Sequence, residues 1–204
     1  ATFMSVLLMP FYLQNLLGFP PQTAGLILTT VPMVQFVVGP FAGWLSDRTG
    51  PTILTSGGLS LAVIAFGLIA QLGVQSGITD IVPRLALMGI GFGLFNAPNN
   101  SALMGSAPRH RYGVASSLLA LMRNLGMATG LALGGAAFAS REALYLDAGL
   151  AREDAFVGAF HDAYMIALGL CVIGVLASLI RGNQNSHQSE NVETSPMAER
   201  PKRP

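Results

Sequence analysis

Gly39-Pro-Phe-Ala-Gly-Trp-Leu-Ser-Asp-Arg-Thr-Gly-Pro51 is a short polar turn between two long apolar runs, residues 22–45 and 51–73. Each run is long enough to cross a bilayer, since about 20 mostly apolar residues span the hydrocarbon. The charged pair Asp47-Arg48 is costly to bury in hydrocarbon, so it must lie at a water boundary. The turn therefore predicts two membrane helices that meet at the membrane surface.

The chain as a whole has the composition of a membrane protein. It is 51% hydrophobic and only 10% charged, whereas a soluble domain carries about 25% charged residues. Backbone groups in lipid must be hydrogen-bonded within their own segment, which favours helices. We predict an all-α fold, one bundle of six transmembrane helices over residues 1–181. The runs that predict these helices are roughly 1–18, 22–45, 51–73, 80–106, 112–139 and 161–181.

The two ends of the chain give separate predictions. Ala1 already lies inside an apolar run, with neither an initiator Met nor a basic stretch before it, which is not the pattern of a signal peptide. We therefore expect the chain to be a fragment whose N-terminal half is missing. Residues 182–204 are rich in polar and charged residues and are predicted to be a disordered tail.

The basic residues predict the orientation of the bundle. Seven of the eleven lie in alternate connections and in the tail, and such connections are usually cytoplasmic. The turn at residues 39–51 and the C-terminus are therefore predicted to face the cytoplasm, with the protein in the cell (inner) membrane. The opposite side carries residues 141–160, the only long connection that we predict. We favour a plain connector there over a lid.

Polar side chains are concentrated in four of the six runs. Inside a bundle, such side chains face protein or a water-filled cavity rather than lipid. We therefore expect the third and sixth runs to lie at the periphery and the other four to line a substrate cavity. Hydrogen bonds between helices and plain packing remain the alternatives. The candidate lining residues are Phe11, Gln14, Asn15, Gln35, Asn96, Asn99 and Arg123.

Arg123 is the most unusual of these candidates. It lies about 15 Å along the fifth run at 1.5 Å per residue, where a cation costs at least about 2.5 kcal/mol. It shares a helix face with Gly130 and Gly134, so it is predicted to point into protein. A functional role and a structural tie between helices both remain open. All acidic residues fall at run ends or in connections, so a proton-coupling carboxylate is expected in the missing half.

Small residues and one proline predict how the runs pack. Gly89, Gly91 and Gly93 lack the preceding strand and the spacing of a nucleotide-binding loop, so they predict close helix packing. Pro98 removes a backbone donor and predicts a kink. Packing is also predicted for Gly126, Gly130 and Gly134.

The turn carries the pattern G-x-x-x-D-R-x-G in Gly43, Asp47, Arg48 and Gly50. This pattern resembles the cytoplasmic loop signature of the major facilitator superfamily, in which it acts as a conformational latch. A simple topogenic turn is the alternative interpretation. The family usually continues with basic residues, whereas Pro51 and Thr52 follow here.

A second resemblance lies in residues 84–101 followed by residues 113–126. This succession is similar to the C-terminal half of the fourteen-span drug:H+ antiporters of that superfamily. The resemblance covers residues 1–181. It implies proton-driven export of small apolar or cationic compounds by alternating access. The implied partners are the N-terminal half, the lipid bilayer and a small-molecule substrate, with no nucleic acid and no cofactor beyond the proton gradient.

Other functions fit the same helices less well. Transport of a sugar, amino acid or other metabolite is the first alternative, and a non-transporting membrane component is the second. An enzyme is not predicted, because the sequence contains no nucleophile–base pair. The three histidines are scattered at positions 110, 161 and 187, so no metal site is predicted.

Overall fold

The computed structural model describes residues 2–105 and 108–193, without the side chains at 47, 51–52, 102–105, 109 and 177–193. Every element in this part is helical, in agreement with the predicted all-α membrane fold. The elements are α1 (Thr2–Phe11), a π-helical turn (Tyr12–Leu16), α2 (Pro21–Leu28), α3 (Thr30–Thr49), α4 (Pro51–Ala70), α5 (Ile78–Gly105), a 3₁₀ turn (Arg109–Arg111), α6 (Tyr112–Asp147) and α7 (Arg152–Glu193).

Five stretches of these helices are long and apolar enough to cross a membrane, and they correspond to the second to sixth predicted runs. The first run is divided into α1, of 10 residues, and the π-helical turn, of 5 residues. The five stretches are Pro21–Ser46, Ile53–Ala70, Ile78–Ser101, Tyr112–Asp147 and Arg152–Leu176.

The long connection predicted at residues 141–160 is wrong. Helix α6 continues to Asp147 and α7 begins at Arg152, so only residues 148–151 join them. Gly149, with φ +84°, ends α6: its N–H donates to the Leu146 carbonyl at 2.9 Å, and the Leu150 N–H donates to the Tyr145 carbonyl at 3.1 Å. This pair of bonds is the Schellman motif, which favours glycine at the left-handed position. The sequence analysis overlooked that stop signal.

The C-terminal boundary also differs from the prediction. Helix α7 continues to Glu193, so residues 182–193 are helical where a disordered tail was predicted. Residues 194–204 lie outside the described part, and disorder there remains a prediction.

Helix α5 packs against α4 through glycine. A Cβ atom on Gly58 would lie 2.7 Å from the Gly91 carbonyl oxygen and 2.8 Å from the Phe95 nitrogen. A Cβ atom on Gly91 would lie 2.8 Å from the Ala62 nitrogen. Both contacts are with backbone atoms, which a rotamer change cannot move aside. The absence of side chains at these two positions therefore sets the distance between α4 and α5.

The other side of α5 packs against α3 in the same way. A Cβ atom on Gly89 would lie 2.9 Å from Val34 Cβ, and one on Gly93 would lie 3.0 Å from Val38 Cγ1. Successive glycines two residues apart point to nearly opposite sides of a helix. The run Gly89, Gly91, Gly93 thus places α5 closely between two neighbouring helices.

Helix α4 lies at the centre of the bundle, which contradicts our expectation that the third run is peripheral. Half of the apolar stretch of α4 is buried inside the bundle. The corresponding shares are 11% for the stretch that contains α3 and 6% for that of α6. Small residues on α4 explain this position, because Gly58, Ala62 and Ala65 let other helices approach closely, and all three are buried. The most exposed of the five spans are Pro21–Ser46 and Tyr112–Asp147, which correspond to the second and fifth predicted runs.

An aromatic series crosses the core and connects four elements. Tyr12 stacks on Phe160 with ring centroids 4.7 Å apart, and Phe160 contacts Tyr164 at 4.6 Å. Tyr164 contacts Phe66 at 5.9 Å, and Phe66 contacts Phe92 at 6.0 Å. All five side chains are buried, and such pairs stabilise by about 0.5–1.5 kcal/mol each beyond area burial. The series ties the π-helical turn to α7, α4 and α5.

Adding one methyl group at the α4–α5 contact should loosen the bundle. Gly58→Ala forces Cβ into backbone atoms, and overpacking of this kind costs about 1–3 kcal/mol. We expect a lower melting temperature for the purified protein in detergent. The neighbouring Gly57→Ala is the matched control, because no atom lies within 4 Å of a Cβ there. Equal melting temperatures for the two variants would contradict the proposed role of the contact.

Candidate functional site

The turn between α3 and α4 is closed by Gly50. Its φ of +86° is a conformation that glycine adopts without strain, and its N–H donates to the Ser46 carbonyl at 2.9 Å. Helix α4 then begins directly at Pro51, where a proline costs no hydrogen bond. Gly50 and Pro51 therefore produce an abrupt reversal between two membrane-length helices.

Of the predicted latch residues, Arg48 has a visible partner. The Arg48 guanidinium carbon lies 4.1 Å from the centroid of the Trp44 ring, one helical turn earlier. The sequence analysis overlooked this partner, although the i, i+4 spacing and the cation–π preference of arginine could have indicated it. No atom of the described part lies within 4 Å of a Cβ on Gly43, so none of the described helices packs closely against α3 at this glycine. The Asp47 side chain lies outside the described part.

A cavity of about 800 Å³ lies between the π-helical turn, the C-terminal part of α6 and the first turns of α7. We refer to it as the π-turn cavity. Two of the predicted lining residues, Phe11 and Asn15, contribute to it. The other polar and aromatic groups of its wall, which the sequence analysis did not select, are Phe138, Glu142, Arg152, Glu153 and Phe156.

The cavity and the Gly50 turn lie at opposite ends of the bundle. The Tyr12 hydroxyl donates to the carbonyl of Gly73 at 2.8 Å, just after α4 ends at Ala70. This bond places the π-helical turn beside the C-terminal end of α4, whereas Gly50 precedes its N-terminal end. If the turn faces the cytoplasm, the cavity therefore faces the other side of the membrane.

Pro10 explains why the helix changes its winding beside the cavity. Proline supplies no N–H, and its ring crowds the carbonyl four residues earlier, that of Val6. The helix then widens, so that the Leu17 N–H reaches back five residues to the Tyr12 carbonyl at 3.1 Å. Short π-helical turns of this kind are frequent at functional sites. Pro10 in an apolar run was the sequence signal for this turn.

Charged residues connect α6 to α7 beside the cavity. Asp162 accepts a hydrogen bond from the Tyr145 hydroxyl at 3.0 Å and lies 3.4 Å from Arg141 Nε. Its other carboxylate oxygen lies 3.6 Å from His161 Nδ1. The carboxylate thus serves as a shared partner for three side chains. It holds the C-terminal end of α6 in register with the first turns of α7.

The charges that line the cavity itself have no such partners. Glu142, Arg152 and Glu153 make no hydrogen bond or ion pair with any residue in the described ranges. Glu142 is half-buried, and the other two are exposed. Two carboxylates and one guanidinium therefore remain available to a ligand.

The two predicted lining asparagines of α5, Asn96 and Asn99, do not line the π-turn cavity. Phe92 is buried against Phe66, whereas Asn96, four residues later, is exposed and Asn99 is half-buried. Residues four apart on α5 therefore lie in different surroundings, Phe92 in the core and Asn96 on the surface. Helix α5 is continuous through the fully buried Pro98, and a kink there remains a prediction.

The expectation that Arg123 points into protein is not met by the described part of this chain, and cover by the N-terminal half stays a prediction. Arg123 is exposed and contacts no polar partner in the described part. Gly130 and Gly134 on the same face do meet α1, since Cβ atoms there would lie 3.5 Å from Phe3 Cβ and 2.5 Å from Met4 Cγ. Gly126 has no atom within 4 Å of its Cβ position. Helix α1 therefore covers this face only beyond Gly126.

The two remaining candidates occupy different surroundings. Gln35 is half-buried at the contact between α3 and α5, beside Gly93. Gln14 is exposed on the π-helical turn and does not line the cavity. Among the residues that the structure describes, no group of three or more His, Cys, Asp or Glu could hold a metal ion.

Comparison with known proteins identifies the family. The Major Facilitator Superfamily model matches residues 1–204. The riboflavin transporter RibZ of Clostridioides difficile is 32% identical over 172 residues, which cover 84% of this chain and 38% of that protein. The uncharacterised transporter YebQ of Escherichia coli is 39% identical over 135 residues, which cover 65% of this chain and 29% of that protein. The lincomycin resistance protein LmrB of Listeria innocua is 24% identical over 180 residues, 86% of this chain and 38% of that protein.

The chain spans about two fifths of the length of RibZ and LmrB. The match to the family model covers the whole chain, and the helical architecture agrees with it. The chain belongs to the major facilitator superfamily of membrane transporters.

Proposed function

We propose that this chain is the C-terminal half of a secondary active transporter, which exports small apolar or cationic compounds in exchange for protons. In this proposal the bundle rocks as one body against the N-terminal half, and the substrate passes between the two halves. The protein resides in the cell membrane, with the Gly50 turn and the C-terminus on the cytoplasmic side.

The observation that carries this proposal is the exposure of Arg123. A cation this deep in a span costs at least about 2.5 kcal/mol when it faces lipid. Because no residue in the described ranges covers it, either water or a second protein surface must do so in the membrane. A water-filled path between two halves of a transporter supplies both. Asn96, also exposed within a span, supports the same interpretation.

The Gly50 turn would hold one of the two transport states. Gly50 and Pro51 fix the reversal, and Arg48 is oriented by the Trp44 ring. Asp47 lies in the last turn of α3, directly before Arg48 and three residues before Gly50. We propose that Asp47 and Arg48 contact the N-terminal half in one state and release it in the other.

We favour drug export over metabolite transport because the residues predicted to line the substrate cavity include no acid and a single arginine. The resistance named for LmrB agrees with this choice. A riboflavin-like metabolite is the second candidate substrate, because RibZ shares 32% identity with this chain. Parallel assays with labelled riboflavin and labelled tetraphenylphosphonium separate the two substrate classes. We expect the proton-binding carboxylate in the N-terminal half. Asp162, which lies inside the span Arg152–Leu176, is already shared by Arg141, His161 and Tyr145.

Removing the carboxylate of Asp47 tests the latch. We expect Asp47→Asn in the full-length natural protein to slow transport about tenfold, which corresponds to about 1.4 kcal/mol. The amount of protein inserted in the membrane should stay normal. Thr49→Ala in the same helical turn is the control, since the Thr49 hydroxyl only donates to the Leu45 carbonyl. Wild-type transport by the Asp47 variant would leave the segment as a simple topogenic turn.

Replacing Arg123 tests the transport path. We expect Arg123→Ala to reduce the initial rate of transport about tenfold, and Arg123→Lys to retain most of it because the charge is kept. The melting temperature should change little, since Arg123 makes no polar contact with the residues that the structure describes. A normal rate for both variants would show that Arg123 lies outside the path.

A further inference from the structure

We propose that the π-turn cavity is a binding site for an amphiphilic organic cation. The site lies within this single six-helix unit, at the end opposite the Gly50 turn. The residues that line it belong to this chain, whereas the path on which the proposed function depends lies between the two halves. Its existence requires neither transport nor a proton gradient.

The size and the walls of the cavity suit a small organic molecule. Its volume of about 800 Å³ falls within the range of about 300–1,000 Å³ that is typical of ligand sites. Phe138 and Phe156 meet edge to face, with centroids 4.9 Å apart, and Phe11 faces the same space from the first helix. Three aromatic rings from three elements therefore provide surface for an apolar ligand body.

The charges of the cavity favour a cation. Glu142 and Glu153 carry two negative charges and Arg152 carries one positive charge, so the lining has a net charge of −1. Because none of the three is paired with a described residue, a ligand cation would meet carboxylates that are not already neutralised. Aromatic faces also attract a cation that has lost part of its water shell. The half-buried Glu142 is the main anchor, because partial burial reduces screening.

The helix geometry supports a ligand site rather than a packing fault. The π-helical turn begins two residues after Pro10 and opens the first helix just where Asn15 joins the cavity wall. Two contacts of Tyr12 fix the turn in the bundle: its hydroxyl donates to the Gly73 carbonyl, and its ring stacks on Phe160. On the opposite side, Asp162 and its partners hold α6 against α7. The cavity is thus bounded by elements that are fixed independently of any ligand.

The position of the cavity suggests how the ligand lies. Glu142, Arg152 and Glu153 belong to the ends of α6 and α7, near the membrane boundary, whereas Leu7 and Leu8 line the cavity from within α1. A cationic group would therefore sit near water, and the apolar body would extend along α1. Lipids with an ammonium headgroup and dissolved amphiphilic cations both have this chemistry.

Equilibrium binding of tetraphenylphosphonium to the full-length natural protein tests the site without any gradient. The protein is placed in nanodiscs of phosphatidylglycerol, and Kd is measured with labelled cation. We expect Glu142→Gln to raise Kd about tenfold, because one attractive charge is lost in a partly buried site. We expect Arg152→Gln to lower Kd about threefold, because a repulsive charge is lost. The matched control is Asp154→Asn, which lies in the same turn as Arg152 but outside the cavity.

Opposite shifts for the Glu142 and Arg152 variants, with the control within twofold of wild type, support the site. A general folding defect cannot produce them, because it would not tighten binding in the Arg152 variant. A Kd within twofold of wild type for both cavity variants, or shifts in the same direction, would overturn the proposal. If the cation bound only between the two halves, both cavity variants would keep a Kd within twofold of wild type.

A second set of nanodiscs identifies the source of the cation. If a lipid headgroup fills the cavity, adding phosphatidylethanolamine should raise the Kd for tetraphenylphosphonium in the wild type but not in Glu142→Gln. If a dissolved cation is the occupant, the lipid should leave both Kd values unchanged. Either result is compatible with the site. If the lipid raised Kd equally in the wild type and in Glu142→Gln, lipid and cation would be competing outside the π-turn cavity, and the proposal would be overturned.

Discussion

The backbone contact between Gly58 on α4 and Gly91 on α5 is the constraint on which the rest of the bundle depends. Lipid gives little hydrophobic drive for helices to associate, so close packing must supply the attraction. Gly89 and Gly93 extend this packing to α3, and the aromatic series from Phe92 to Tyr12 extends it to α7 and the first helix. The bundle thereby acts as one body, as a rocking mechanism requires.

The candidate functional features lie outside this tightly packed centre. At one end, Gly50 and Pro51 reverse the chain beside Arg48. At the other end, the π-helical turn, α6 and α7 surround a cavity with unpaired charges. Between them, α6 exposes Arg123 on a face that no described residue covers. A rigid body with polar groups at both ends and along one face is what alternating access between two halves needs.

Elements with strong local signals could be predicted from the sequence. Of the six predicted apolar runs, five correspond to helices that are long enough to cross a membrane. The Gly50-Pro51 pair predicted the reversal that the structure contains. The glycines of α5 lie at helix contacts, as their spacing suggested. By contrast, the end of α6 was misjudged because charges in residues 141–154 outweighed the local stop signal at Gly149.

Features that depend on the arrangement of distant segments could not be read from the sequence. Hydropathy alone suggested that the uniformly apolar α4 faces lipid, whereas its small residues place it in the centre. Arg123 was expected to be covered because glycines share its face, but α1 reaches only as far as Gly130. The π-turn cavity joins residues about 140 positions apart in the sequence, and only Phe11 and Asn15 were anticipated.

The most direct test of the central claim, transport coupled to protons, is flux in proteoliposomes that contain the full-length natural protein. Labelled tetraphenylphosphonium is loaded inside or outside, and a pH gradient is imposed without a membrane potential. The account predicts that the cation accumulates in the compartment that supplies the protons, and that this flux stops when nigericin removes the pH gradient. A flux of equal size with and without the gradient, or no flux despite measurable binding, would contradict it.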